Sequence, residues 1–280
     1  MEYKKLLKAL FFSVLATVGI LALYYGFNLA SVRIFPNSPV NFGFIPIFLL
    51  EILIIKKVGN TDALKNKKFW YGVYLGSVVL IFHAITSILS VVSSLNDGCT
   101  FKPANEILLF AAQMLIGAGV FEELLFRGIV FNVFDKYLGH KSPKAIWCTV
   151  CFSGIIFGLY HFMNWVQGQA LIPTLLQIVT TTGFGILFGA IYVRSRNLWS
   201  LAFIHGVYDI MAFGPGRILN TTVSTATQSS GGESFNIIQI IPYIVQMVVY
   251  TLIAMFLLRK KKMQEIIDCD SDKSSLKIKV

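Results

Sequence analysis

The sequence predicts an all-α fold, a polytopic membrane helix bundle of about eight transmembrane spans. Three observations lead there. The mean hydropathy is +0.69, with 55% hydrophobic and 14% charged residues, too apolar for a soluble domain of 280 residues. Apolar segments of membrane-spanning length recur along the chain. The loops between them alternate between basic and non-basic.

The segments fall near 9–30, 42–55, 69–92, 107–126, 146–163, 173–193, 198–213 and 236–258. A span needs roughly 17 to 25 apolar residues, so the second and seventh are short. The second also carries Glu51 near its end and is compatible with a re-entrant or tilted segment. Twenty of the 24 basic residues lie on one side: in the N-terminal segment, around 56–68, 136–144 and 194–196, and in the C-terminal tail. The other side has Arg33, Lys102 and Arg217, and Arg127 lies within a segment. The positive-inside rule then puts both termini in the cytoplasm of a multi-pass cell-membrane protein. The net charge of +10 is accounted for by this topology and gives no reason to expect nucleic acid.

Met1 to Gly26 resembles a signal peptide, but its apolar run continues for about twenty residues without an evident small-x-small cleavage site, so a retained anchor is expected. The Ser/Thr/Gly-rich stretch Thr221 to Glu233 reads as a flexible connector and Asp268 to Val280 as a short disordered tail. Of four cysteines, Cys99 is expected outside and Cys269 inside, while Cys148 and Cys151, one turn apart, read as small packing residues. His83, alone on its segment, reads as packing or a helix contact, and His140 as a solvated loop residue. The chain divides into 1–105 with the first three spans, 106–213 with a polar core on spans four to seven, and 214–280 with the outer loop, last span and tail.

Ionisable residues inside spans are costly, about 2.5 to 3.5 kcal/mol each at mid-bilayer on the insertion scale, so those that occur need a purpose. Within Phe121-Glu122-Glu123-Leu124-Leu125-Phe126-Arg127, Glu123 and Arg127 are four apart and share a helical face, where they can neutralise each other. Glu122, rotated about 100° away, is left free to act. Phe157 and His161 share a face, as do His205 and Asp209. Three such elements on three spans can converge on one interior. Their axial depths disagree, however: His205 is about seven residues, roughly 10 Å, from the start of its segment and His161 about fifteen, roughly 22 Å. Tilt, or a fifth helix that starts well outside the bilayer, is needed to bring them together.

The ordered set EExxxR, FxxxH and Hxxx(Asn/Asp), on three separate segments, resembles the CPBP intramembrane proteases, the CAAX prenyl endopeptidases and bacteriocin-processing or bacteriocin-immunity enzymes also called the Abi family. The likeness covers roughly Glu106 to Phe213. It implies an all-helical membrane fold with a polar cavity open to the cytoplasmic side. By the same resemblance Glu122 would activate a water shared with His161, His205 and Asp209 would stabilise the oxyanion, and Glu123 and Arg127 would support them. This chain has Asp where the motif accepts Asn or Asp, and an ionised Asp209 cannot donate to an oxyanion; orienting His205 or binding a cation is then its alternative role.

Peptide hydrolysis by a glutamate and two histidines fits activated water, since no Ser or Cys has an evident partner base. Glu122, His161 and His205 are also candidates for a divalent metal such as zinc, although HExxH is absent. The expected partners are a peptide or membrane-protein substrate and the lipid bilayer. The alternatives are a non-catalytic bacteriocin-immunity or scaffold protein, and a proton- or ion-coupled transporter, against which the lack of visible repeat symmetry stands. The skew towards Lys, Ile and Phe with short loops suggests a bacterial chain, and so peptide processing or self-immunity ahead of CAAX trimming.

Overall fold

The structure, a computed structural model, describes residues 3–36, 42–58, 61–139, 141–220 and 237–277. Helices α1 (Tyr3–Ile34), α2 (Phe44–Val58) and α3 (Phe69–Asn96) precede a long helix α4 (Ala104–Leu138). Then come α5 (Pro143–Tyr160), α6 (Leu171–Ser195), α7 (Leu198–Ile218), α8 (Ile237–Leu257) and α9 (Lys260–Lys277). Each of the eight apolar segments falls on a helix, and among the described residues six helices are long and apolar enough to cross a membrane. The other two are α2 and α7. With 15 residues α2 reaches only about 22 Å. In contrast, α7 runs to Ile218 and is long enough at 21 residues, but its polar side chains make it less apolar than the six.

Two other expectations change. The fourth segment does not end near 126: α4 continues to Leu138, and its middle, Met114–Glu122 and Leu124–Val130, winds in wider π turns. Such turns mark a helix that trades regular bonding for packing or function. The tail expected to be disordered from Asp268 is helical to Lys277. The connector 221–233 and His140 lie outside the described residues.

The loops sort into two ends. At one, Asn197 donates through Nδ2 to the Lys65 and Lys67 carbonyls at 3.0 and 2.8 Å, and the Trp199 indole donates to Leu64 O at 2.7 Å. Arg196 meets Asp135 at 3.3 Å, and Arg194 binds Leu257 O at 2.9 Å and the Tyr71 hydroxyl. The basic stretches thus gather together. At the other end a two-residue antiparallel ribbon pairs Thr100 with Asn220 and Phe101 with Leu219, and Gln167 meets Tyr25. Charge counting and tertiary contacts therefore separate the loops in the same way.

The turn that sets α7 is local chemistry. Arg196 sits at φ 50° in the left-handed region, and Asn197 caps α7 by accepting from Ser200 N at 2.7 Å. Small residues let the central helices approach: a Cβ on Gly154 of α5 would stand 2.8 Å from Ile186 N of α6, and one on Gly206 of α7 would stand 2.7 Å from Leu115 Cα of α4. The core of Phe126, Phe131, Phe157, Phe188 and Tyr192 fills the space between these helices. On the outside, α3 presents Trp70, Tyr74, Ile81 and Ile88, all largely exposed, the apolar surface that lipid requires.

Candidate active site

Helix α4 supplies Glu123 and Arg127 on one face, as expected. Arg127 Nη1 donates to Glu123 Oε1 at 2.8 Å, and both side chains are buried. The guanidinium also donates to the Gly185 carbonyl of α6 at 3.2 Å and lies over the Phe157 and Phe188 rings, 4.7 and 5.3 Å from their centroids. A buried cation is tolerable only with this degree of pairing.

Helix α7 brings in His205, whose Nδ1 lies 2.8 Å from the same Glu123 Oε1. A carboxylate paired with arginine accepts, so the imidazole donates from Nδ1 and turns Nε2 towards Glu122 Oε2 at 3.9 Å and Asp209 Oδ2 at 3.7 Å. The rings of Phe157, Phe184 and Phe188 surround it, with centroids at 5.9, 5.1 and 5.7 Å. The bond that orients His205 thus comes from Glu123; Asp209 stands beyond hydrogen-bond distance of the ring.

His161 caps the C-terminus of α5. Its Nδ1 lies 3.0 Å from the Phe157 carbonyl, which can only accept, so Nδ1 carries the proton and Nε2 keeps a lone pair in the neutral ring. Its link to the rest of the cluster is the Phe157 ring, which touches the imidazoles of both His161 and His205.

Glu122 is nearly buried, and its Oε2 has no hydrogen-bond partner. Burying such an atom costs about 1–3 kcal/mol. Among the described residues no group of three or more His, Cys, Asp or Glu side chains is placed to hold a metal ion. Cys148 and Cys151 are free and half-buried.

The residue most undervalued by sequence reasoning is Glu51, treated there only as a blemish in a short apolar segment. It is completely buried, neither carboxylate oxygen has a hydrogen-bond partner, and it shares the inward stripe of α2 with Ile47 and Ile55. Ile55 packs over Gly128 of α4, and α2 and α4 run in the same direction, so Glu51, one turn earlier, stands near the level of Glu122 to Leu124. The signal was present: an acid within an apolar run.

A second polar group lies beside the first, behind Phe184. His83 Nε2 lies 3.0 Å from the Tyr250 hydroxyl and Gln246 donates to that hydroxyl at 2.7 Å, while the Tyr208 ring meets His83 edge-on. His83 is therefore a helix contact with a partner.

Neither a curated protein nor a solved structure matches the chain. Residues 104–211, which carry Glu122, Glu123, Arg127, His161, His205 and Asp209, match the family described as Rce1-like, type II CAAX prenyl endopeptidase Rce1-like; this is consistent with the CPBP family, and the apolar helices of membrane-spanning length fit a multi-pass membrane protein.

Proposed function

We propose that the chain is an intramembrane endopeptidase that hydrolyses a peptide bond of a peptide or membrane-associated protein. The observation that carries this reading is the unequal treatment of adjacent carboxylates: Glu123 Oε1 receives both Arg127 and His205 at 2.8 Å, whereas Glu122 Oε2 is buried with no hydrogen-bond partner. Glu122 takes a proton from a water that His161 Nε2 helps to hold, and the oxygen of that water attacks the scissile carbonyl carbon. The tetrahedral oxyanion is met by His205, which in its doubly protonated form donates from Nε2 while Glu123 holds Nδ1. As the C–N bond breaks, Glu122 returns its proton to the leaving amine. Asp209, 3.7 Å from His205 Nε2, offsets the charge of the imidazolium. In this reading the enzyme works without a metal.

The topology belongs to the same proposal. Eight spans, with α2 and α7 as the short or polar members, put both termini in the cytoplasm and open a polar cavity to that side; the segregation of loops to two ends supports it. The test is cleavage of a panel of leader peptides and prenylated peptides by purified protein in liposomes, with Glu122→Gln and His161→Ala alongside, with and without chelator. Cleavage by wild type alone, unaffected by chelator, supports the reading. Chelator inhibition replaces it with a metalloprotease. Inertness of all three proteins, with any cellular phenotype kept in the variants, favours a binding or immunity role.

A further inference from the structure

A groove of about 420 Å³ lies at the basic end of the bundle, between the start of α5, the end of α8 and the start of α9. Trp147, Thr251, Met255 and Met263 form its walls, and Arg259 and Lys260 its rim. We propose that this groove binds one anionic phospholipid, with an acyl chain along the walls and the phosphate between Arg259 and Lys260.

Three features point to that ligand. The volume lies in the range of small-molecule sites, about 300–1,000 Å³. The walls continue into the outward apolar surface of α8, where Leu252, Met255 and Phe256 are more than half exposed, so an apolar tail can enter from the bilayer. The rim belongs to the run Arg259, Lys260, Lys261, Lys262 directly after the Leu257 end of α8, and such juxtamembrane clusters attract anionic lipid headgroups. Arg259 is already posed, donating to Phe256 O at 3.0 Å and lying 4.6 Å over the Phe256 ring, with further N–H groups left to face a phosphate. Lys144, three residues before Trp147 on the first turn of α5, adds positive charge from that side. The acids of α9 are engaged further along: Glu265 pairs with Lys262 at 2.8 Å and Asp268 accepts from Gln264 at 2.8 Å. Trp147 suits the interfacial depth at which headgroup and chain meet. Helix α9 closes the site, with Met263 buried and Ile266 and Ile267 packed on the core.

A neutral phospholipid would satisfy the walls but not the rim, and a soluble anion the rim but not the walls. The experiment titrates the purified full chain in detergent with phosphatidylglycerol or phosphatidylcholine of identical acyl chains, reading thermal stability and retained lipid by native mass spectrometry. Phosphatidylglycerol is expected to raise Tm and leave one retained lipid where phosphatidylcholine does not. Arg259→Ala with Lys260→Ala should weaken that binding by about 10- to 30-fold, in keeping with two near-surface cations. Thr251→Trp, which fills the groove and keeps every charge, should abolish it; this second variant keeps the test alive where the charge pair impairs folding. Lys56→Ala with Lys57→Ala, at the same end but away from the groove, should leave it unchanged. Equal stabilisation by both lipids, an equal loss in the Lys56/Lys57 control, or normal binding by Thr251→Trp would overturn the proposal.

Discussion

Two polar clusters sit side by side in the bundle, separated by Phe184, whose ring faces His205 on one side and Tyr208 on the other. The His83, Tyr208, Gln246 and Tyr250 group is neutral, and its hydroxyl, amide and imidazole groups bond to one another. The Glu122, Glu123, Arg127, His205 and Asp209 group is ionic and leaves carboxylate oxygens of Glu122 and Glu123 without hydrogen-bond partners. A polar network that satisfies itself joins helices. One that carries the cost of unpaired oxygens in an apolar interior is arranged for a further group, and in the proposed reading that group is the substrate and its water.

The comparison can be broken in four ways, the largest effect first. On the proposed reading, in which Glu122 is the base, Glu122→Gln should lower kcat by about 10²–10⁴-fold while Tm stays within a few degrees; steady-state cleavage and thermal unfolding on one preparation check both halves. Arg127→Met should cost about 3–5 kcal/mol, since it leaves Glu123 buried without its cation, and denaturant unfolding in mild detergent measures it. Glu51→Met should raise stability by about 1–3 kcal/mol by removing a fully buried carboxylate with no hydrogen-bond partner; a loss of activity in this more stable variant would place Glu51 in the working site. Tyr250→Phe in the neutral cluster should cost about 1 kcal/mol and leave kcat unchanged. If Tyr250→Phe reduces cleavage as far as Glu122→Gln does, the two clusters act as one and the contrast between them fails.

Much of the site was legible in the sequence because helical spacing is a local rule. Glu123 and Arg127 at i and i+4 meet even through the widened turns of α4, and the charge bias of the loops agrees with the two ends at which the helices gather. Other features depend on residues far apart in the chain. The share of Glu123 Oε1 taken by His205, 82 positions away, required α7 to lie on α4 across Gly206. The continuation of α4 to Leu138 escaped a hydropathy argument, since Asn132, Asp135 and Lys136 read as loop while Phe131 and Phe134 in fact bury against the core. The polar composition from Asp268 onward predicts disorder, whereas α9 runs on to Lys277, its earlier turns packed on the core through Met263, Ile266 and Ile267.

The sequence by itself determined a membrane bundle, since a chain this apolar cannot hide its hydrophobic surface in a soluble core of its size, and it named the acid, base and cation groups, since each is anomalous in an apolar helix. Only the tertiary structure decided that His205 shares Glu123 Oε1 with Arg127, that Phe157 joins the two histidines, and that Glu51 belongs at the level of the site. The physical reason is range: side-chain spacing along one helix follows from its period, but pairing between helices depends on how closely glycines let them approach and on the turn at Arg196 and Asn197 that sets the start of α7.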